Sequence, residues 1–195
     1  MIFGTDGIRD IGAQGLLSAE SLDRIGLALC EHLRRIESST QKILLAMDTR
    51  VSGPEIESLI TATLHREGVS TIHAGVIPTP AVSVLLAGGV ADLGLMISAS
   101  HNPPEFNGIK VLDNKGEKLS VETEAQISKD YDRLQSWGVC YSRLKNGNHS
   151  IEDQKIDETL GQTYLNSLLS SFPEGEFLAG TKVVVDAARC AACHW

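Results

Sequence analysis

Ile97-Ser98-Ala99-Ser100-His101-Asn102-Pro103-Pro104-Glu105-Phe106-Asn107-Gly108-Ile109-Lys110 begins where an apolar run, Ala91-Asp92-Leu93-Gly94-Leu95-Met96-Ile97, stops. That run has the length and content of a buried strand. Three small residues follow, then a polar loop braced by two prolines. An Asn-Gly pair then turns the chain into a second apolar run, 109 to 112. The stretch therefore reads strand, loop, strand. Ser100 is a hydroxyl on a loop mounted between two strands, which is how reactive groups are held on rigid supports. Ser-His-Asn-Pro is also four turn-forming residues, and most such clusters only turn the chain.

Upstream, the chain alternates. Residues 69 to 76 read as a strand, followed by Ile77-Pro78-Thr79-Pro80 and a short helix over 81 to 87, closed by Gly88-Gly89. Residues 42 to 47 are a short apolar run, read as a buried strand. A helix is expected over 54 to 67, with Pro54 near its start and Ile56, Leu59, Ile60, Thr63 and Leu64 on its apolar face. Another is expected over 18 to 36, with Ser18 as N-cap and Leu22, Ile25, Leu29, Leu33 and Ile36 on one face. Strands alternating with helices predict an α/β fold with a mostly parallel sheet.

Downstream, 111 to 119 reads as a hairpin with Asn114-Lys115-Gly116 at its tip. A solvated helix follows to 137, then a polar linker, then a helix over 156 to 172, then an apolar run at 182 to 186 read as a new strand. One strand cannot make a sheet. The expected organisation is a first domain over 1–140, a linker over 141–157, and over 158–195 the opening of a second domain that is cut short.

Two further stretches bear on Ser100. Phe3-Gly4-Thr5-Asp6-Gly7-Ile8-Arg9-Asp10 has glycines on both sides of Thr5-Asp6, which permits a sharp turn or a close approach to a ligand. Arg9 adds a planar fork suited to phosphate. It reads as a glycine-rich turn with a surface arginine as readily as a ligand loop. Asp48-Thr49-Arg50-Val51-Ser52-Gly53-Pro54 sits at a strand exit, where sheets of this kind place ligands. Asp48 serves equally well as a cap and Arg50 as the partner of an acid. Taken together, these stretches point to Ser100 as the carrier of a phosphoryl group.

Composition narrows the class. Of 195 residues 42% are hydrophobic and 22% charged, ordinary for a globular chain, and the net charge is −8. An acidic balance argues against nucleic acid or an anionic membrane as the main partner, because phosphate backbones demand a basic face. No apolar run reaches the roughly 20 residues of a membrane span. The N-terminus lacks the pattern of an export signal, so the cytoplasm is expected. Cys30 and Cys140 read as reduced packing residues. Cys190-Ala191-Ala192-Cys193-His194 matches a haem-attachment pattern, but attachment requires export. Zinc lacks a second ligand pair. Chance is the preferred account.

Phe-Gly-Thr-Asp-Gly-Ile-Arg at 3 to 9, Asp-Thr-Arg-Val-Ser-Gly at 48 to 53 and Ser-Ala-Ser-His-Asn-Pro with Asn-Gly-Ile-Lys within 98 to 110 occur in this order. Together they resemble the α-D-phosphohexomutases. The resemblance implies a three-layer α/β first domain with a mixed, mostly parallel sheet. It also implies a phosphoserine at Ser100 that donates to a sugar monophosphate and regains a phosphoryl group from a bisphosphorylated intermediate. The branch most resembled interconverts glucosamine 6-phosphate and glucosamine 1-phosphate. Lys110 and Arg9 match active-site residues, Lys110 in proton transfer and charge stabilisation. His101 is carried over as catalytic or as a support of the loop. Thr5, Asp6, Gly7, Arg50 and Asn102 are expected to bind substrate or phosphate. Magnesium is the implied cofactor, with phosphorylated Ser100 as one ligand and the others expected in the missing part of the second domain. A small sugar phosphate is the expected partner, and a homodimer is left open. Asp10 stands where these mutases commonly carry glycine.

The alternatives are glucose or mannose specificity within the same family, and a truncated remnant that is inactive or binds a sugar phosphate weakly; a serine hydrolase built on Ser100 and His101 fits less well. Neighbouring residues at a strand exit point apart, and no Gly-x-Ser-x-Gly surrounds Ser100.

Overall fold

The computed structural model describes residues 1–36, 40–136, 155–175, 178–187 and 190–193. The expected linker lies almost wholly outside them, as do Cys140 and His194.

Five strands form one sheet in the order β1-β5-β4-β2-β3. They are β1 (Ile8–Ile11), β2 (Lys42–Met47), β3 (Ser70–Val76), β4 (Leu93–Ile97) and β5 (Phe106–Asp113). β2 runs parallel to β3 and to β4. β4–β5 and β5–β1 are antiparallel. The sheet is mixed, as expected, with the parallel pairings confined to one half. Parallel strands require a crossover, and helices supply it between β2, β3 and β4; β4 and β5 are joined by the short serine loop and must reverse.

The helices are α1 (Ala19–Arg35), α2 (Gly53–Arg66), α3 (Thr79–Ala87), α4 (Val121–Ser136) and α5 (Thr159–Ser170). Ser18 caps α1 as expected, its hydroxyl accepting from Ser21 N. Leu22, Ile25, Leu29 and Leu33 are fully buried, while Ile36 lies past the helix end and is exposed. In β2 the side chains alternate: Ile43, Leu45 and Met47 enter a core shared with α1, α2 and α4, whereas Leu44 and Ala46 enter one shared with α3 and α5. Both faces of the strand are therefore buried, which is why it reads as a continuous apolar run.

Two expectations need correction. Residues 8 to 11 are not only part of a glycine turn: they form β1, an edge strand paired with β5 through Ile8 opposite Ile109 and Arg9 opposite Gly108. The run at 182 to 186 forms no strand. Val183, Val184 and Val185 are exposed, and no edge among the described residues pairs with them. A strand needs a neighbour to take its hydrogen bonds, and apolar content alone does not supply one. α5 is held against α3 and β3. Leu160 and Tyr164 pack with Leu85 and Leu86 of α3, and Asp157 N donates to His73 O at 2.8 Å on the free edge of β3.

The hairpin after β5 forms as read. Asp113 Oδ1 accepts from Lys115 N and Glu117 N, and Gly116 takes the left-handed conformation at φ +78°.

Cys30 is fully buried, and desolvation, reinforced by Glu67, pushes its thiol pKa up to about 12. Cys190 is exposed. Brief iodoacetamide treatment of the native protein at neutral pH is expected to alkylate Cys190 and leave Cys30 intact. Peptide mapping reads the result, and alkylation of Cys30 without unfolding contradicts this packing.

Candidate active site

The carboxyl ends of β2 and β4 lie side by side, Met47 opposite Ile97, and Asp48 N donates to Ile97 O at 3.0 Å. Two loops leave from these ends, one carrying Asp48 to Ser52 and the other Ser98 to Glu105. A cavity of about 530 Å³ opens between them and the start of α3, lined by Asp48, Arg50, Thr79, Ser98, Ser100 and Asn102 among others. Parallel strands place ligand sites at this end.

Ser100 is exposed, and its hydroxyl has no partner among the described residues. Its backbone is left-handed at φ +54°, one of three such non-glycine residues among those described. A serine there costs roughly 1–2 kcal/mol relative to the right-handed region, so surrounding contacts must hold it. Its N–H donates to Ser98 Oγ at 3.0 Å, and its carbonyl accepts from Arg50 Nη2 at 2.7 Å. Ser98 Oγ donates to Asp48 Oδ2 at 2.7 Å.

Arg50 reads from the sequence either as a phosphate ligand or as the partner of an acid, and its guanidinium faces the protein. Nη1 donates to the carbonyls of Pro103 and Phe106 at 2.7 and 2.8 Å. Nη2 donates to those of Ser100 and Asn102 at 2.7 and 2.8 Å. Nε donates to Asp48 Oδ2 at 3.2 Å.

β1 brings the N-terminal residues to the same edge. Lys110, on β5, places Nζ 2.7 Å from Asp6 Oδ2. Arg9 Nη2 donates to the same oxygen at 3.0 Å, and Nη1 reaches Asn102 Oδ1 at 3.4 Å. Arg9 Nε is buried without an acceptor among the described residues, a donor left over for a ligand. A smaller cavity of about 130 Å³ lies beside Asp6, Lys110 and Lys118, and Thr79 lines both cavities. The structure thus brings Asp6, Arg9, Asn102 and Lys110 together, with Asn102 linking them to the serine loop. Thr5 contributes its carbonyl, which accepts from Lys118 Nζ at 2.9 Å. Gly7 is left-handed at φ +93°. His101 is exposed and has no hydrogen-bond partner among the described residues, so no bond joins it to Ser100.

The hydrogen bond from Lys110 holds the Asp6 carboxyl below its ordinary pKa, with the charges of Lys110, Arg9 and Lys118 acting in the same direction against desolvation. A lowered folded pKa means that the stabilisation is complete above the unfolded value and is lost as pH falls through the folded one. The stability difference between wild type and Asp6→Asn is expected to stay constant above about pH 5 and to shrink below about pH 4. Urea denaturation across that range measures it, and a difference that grows on acidification contradicts the arrangement.

Residues 1–136 match the family model described as phosphoglucomutase/phosphomannomutase, alpha/beta/alpha domain I. The chain belongs to the phosphoglucomutase/phosphomannomutase family. It is 37% identical over 191 residues to a phosphoglucosamine mutase of Paracoccus denitrificans, covering 98% of this chain and 41% of that protein. It is 39% identical over 195 residues to one of Roseobacter denitrificans, with the same coverage. The chain thus spans about two fifths of the length of these relatives. Among solved structures, a phosphoglucomutase/phosphomannomutase family protein from Burkholderia thailandensis superposes with a TM-score of 0.57 at 28% identity, over 69% of this chain and 30% of that one.

The implied magnesium does not fit the residues present. Among the described residues no three His, Cys, Asp or Glu side chains gather to hold a metal. Asp6 is engaged by Lys110 and Arg9, and Asp48 by Ser98 and Arg50. A phosphate on Ser100 would supply one ligand, where magnesium requires near-octahedral oxygen coordination.

Ser98, Asn107 and Lys118 escaped the sequence reading. Asn107 is fully buried, donating to Ser52 Oγ at 2.9 Å and accepting from Gly108 N at 2.8 Å, so it ties the second strand of the serine loop to the loop after β2. One signal pointed to Ser98: it follows the apolar run of β4 directly, as Asp48 follows that of β2. Asp10 uses its two carboxylate oxygens to accept from Ile11 N and Leu16 N and closes the turn after β1.

Proposed function

We propose that this chain is the phosphoserine-bearing part of a phosphohexomutase, with Ser100 as the carrier. Phosphoserine 100 gives its phosphoryl group to a hydroxyl of a sugar monophosphate. The bond from Ser100 Oγ to phosphorus breaks as the sugar oxygen bonds to phosphorus; Lys110 gives a proton to the leaving Ser100 Oγ and takes one from the sugar hydroxyl, so that it ends as charged as it began. The bisphosphorylated sugar reorients, and its other phosphoryl group returns to Ser100. Such transfer depends mainly on positioning and on charge neutralisation.

The observation that carries this reading is the mount of Ser100: an exposed hydroxyl on a backbone held at both its N–H and its carbonyl, with Arg9 and Lys110 joined to the loop through Asn102. A phosphoserine carries about −1.5 to −2 charges and needs such cations. In this reading the phosphate takes over Lys110 and Arg9 from Asp6. Glucosamine 6-phosphate and glucosamine 1-phosphate are the favoured pair, because relatives at 37–39% identity bear that name. The family description also names glucose and mannose mutases, which makes those sugars the second reading. The cytoplasm is the compartment we propose for a reaction on a phosphorylated sugar.

The test is to incubate the protein with a hexosamine bisphosphate and locate the phosphoryl group by peptide mass. One group on Ser100 is expected. Phosphate on another residue, or on none, defeats the proposal.

A further inference from the structure

Arg50 has five N–H groups, and each has an acceptor within the protein. Four of those acceptors are backbone carbonyls of a single segment, those of Ser100, Asn102, Pro103 and Phe106. Four carbonyl dipoles converging on one point repel one another unless a cation occupies it. A guanidinium suits that point because it is planar, always charged and forked. It is also well sheltered: its side chain is 11% exposed and that of Asp48 15%. Little of the guanidinium is left for a substrate phosphate.

Asp48 completes the arrangement. Oδ1 accepts from Arg50 N at 3.0 Å, and Oδ2 accepts from both Arg50 Nε and Ser98 Oγ. Because Ser98 Oγ donates its proton to Asp48, its lone pairs face the Ser100 N–H. The chain of bonds runs from the Ser100 carbonyl through Arg50, Asp48 and Ser98 back to the Ser100 amide. It fixes both peptide groups of the residue whose left-handed backbone would otherwise relax.

We infer that Arg50, with Asp48 and Ser98, is a positioning residue that holds Ser100 in its reactive conformation, and that Arg50 does not grip the substrate. The kinetic consequence rests on the reading of Ser100 as phosphoryl carrier; the structural one does not.

Two measurements on the 195-residue chain keep these separate. The first is amide hydrogen exchange in wild type, Arg50→Ala, Arg50→Lys and Ser98→Ala. Exchange at Ser100, Asn102 and Phe106 is expected to rise about tenfold or more in the Arg50 variants, while β2 and β4 stay protected. Guanidinium ion at millimolar levels is expected to restore protection in Arg50→Ala. Ser98→Ala, which keeps the cation, is expected to loosen Ser100 alone and serves if the Arg50 variants do not fold. Unchanged exchange at Ser100 in all variants overturns the inference.

The second is the rate at which phosphate appears on Ser100 from a hexosamine bisphosphate. Arg50→Lys is expected to slow it about a hundredfold, the cost of a misplaced reacting group, with the half-saturating concentration changed less than about threefold. A half-saturating concentration raised tenfold or more at an unchanged maximal rate shows Arg50 gripping substrate and overturns the inference. Wild type that accepts no phosphate defeats the proposed function, and the exchange experiment still decides the role of Arg50.

Discussion

In a complete enzyme that carries this segment, Ser100→Ala is expected to abolish covalent phosphate on the protein and to reduce sugar-phosphate isomerisation by more than about a thousandfold, since no other group can stand in for a missing nucleophile. Stability is expected to change by no more than about 0.5 kcal/mol. The reasons are local. The Ser100 hydroxyl is exposed and has no partner among the described residues, so its loss strands no buried group. The hydrogen bonds that hold the loop use Ser100 backbone atoms, and alanine keeps them. Alanine and serine bear the left-handed φ of +54° at similar cost. The variant therefore separates chemistry from folding: a melting curve that superposes on wild type beside a protein that takes no label. Normal turnover by this variant ends the phosphoserine assignment. A hydrolase reading makes the opposite claim, that a fluorophosphonate labels Ser100. With His101 exposed and bonded to nothing among the described residues, no labelling is expected.

Much of the fold was legible because each element advertises itself locally. The interior strand at 42 to 47 is buried on both faces, and its apolar run says so. Ser18, Pro54 and the apolar spacing mark where the first two helices begin and which side they bury. What escaped depends on partners distant in sequence. Ile8–Ile11 is four residues long and becomes a strand only because residues a hundred positions later lie beside it. Val183 to Val185 fail for the converse reason: they have the composition of a strand and no neighbour to pair with.

The site divides along the same line. Ser100, Lys110 and Arg9 could be singled out from motif and residue type, and the structure gathers Arg9 and Lys110 on one carboxylate. The pairing of Arg50 with an acid was legible, and Asp48 is that acid; its other four acceptors were not, because they lie 50 to 56 positions away and are backbone atoms, which carry no mark in a sequence. Ser98 was hidden likewise. A serine beside a reactive serine looks like spacing until the parallel pairing of β2 and β4 sets Asp48 against it.

Gly7→Ala is expected to cost about 3 kcal/mol, combining backbone strain with overpacking. For a chain of this size that is a fall in Tm of roughly 10 °C. Gly7 is left-handed at φ +93°, and an added Cβ would sit 2.5 Å from the carbonyl oxygen of Ile109 and 3.1 Å from Lys110 Cα. Both are backbone atoms of an interior strand and cannot swing aside as a side-chain tip can. Gly68→Ala isolates the two causes. Gly68 has φ +80° but open space around it, so alanine there incurs conformational strain alone, about 1 kcal/mol. Calorimetry on both variants should show Gly7→Ala losing clearly more. The excess measures how tightly β1 seats on β5, and that seat sets the distance from Asp6 and Arg9 to Lys110. Phosphate uptake at Ser100 should therefore fall in Gly7→Ala at a temperature where the variant remains folded, and should not fall in Gly68→Ala. Equal losses of stability in the two variants would mean that β1 gives way easily, and a rigid mount for Arg9 could then not be part of the mechanism.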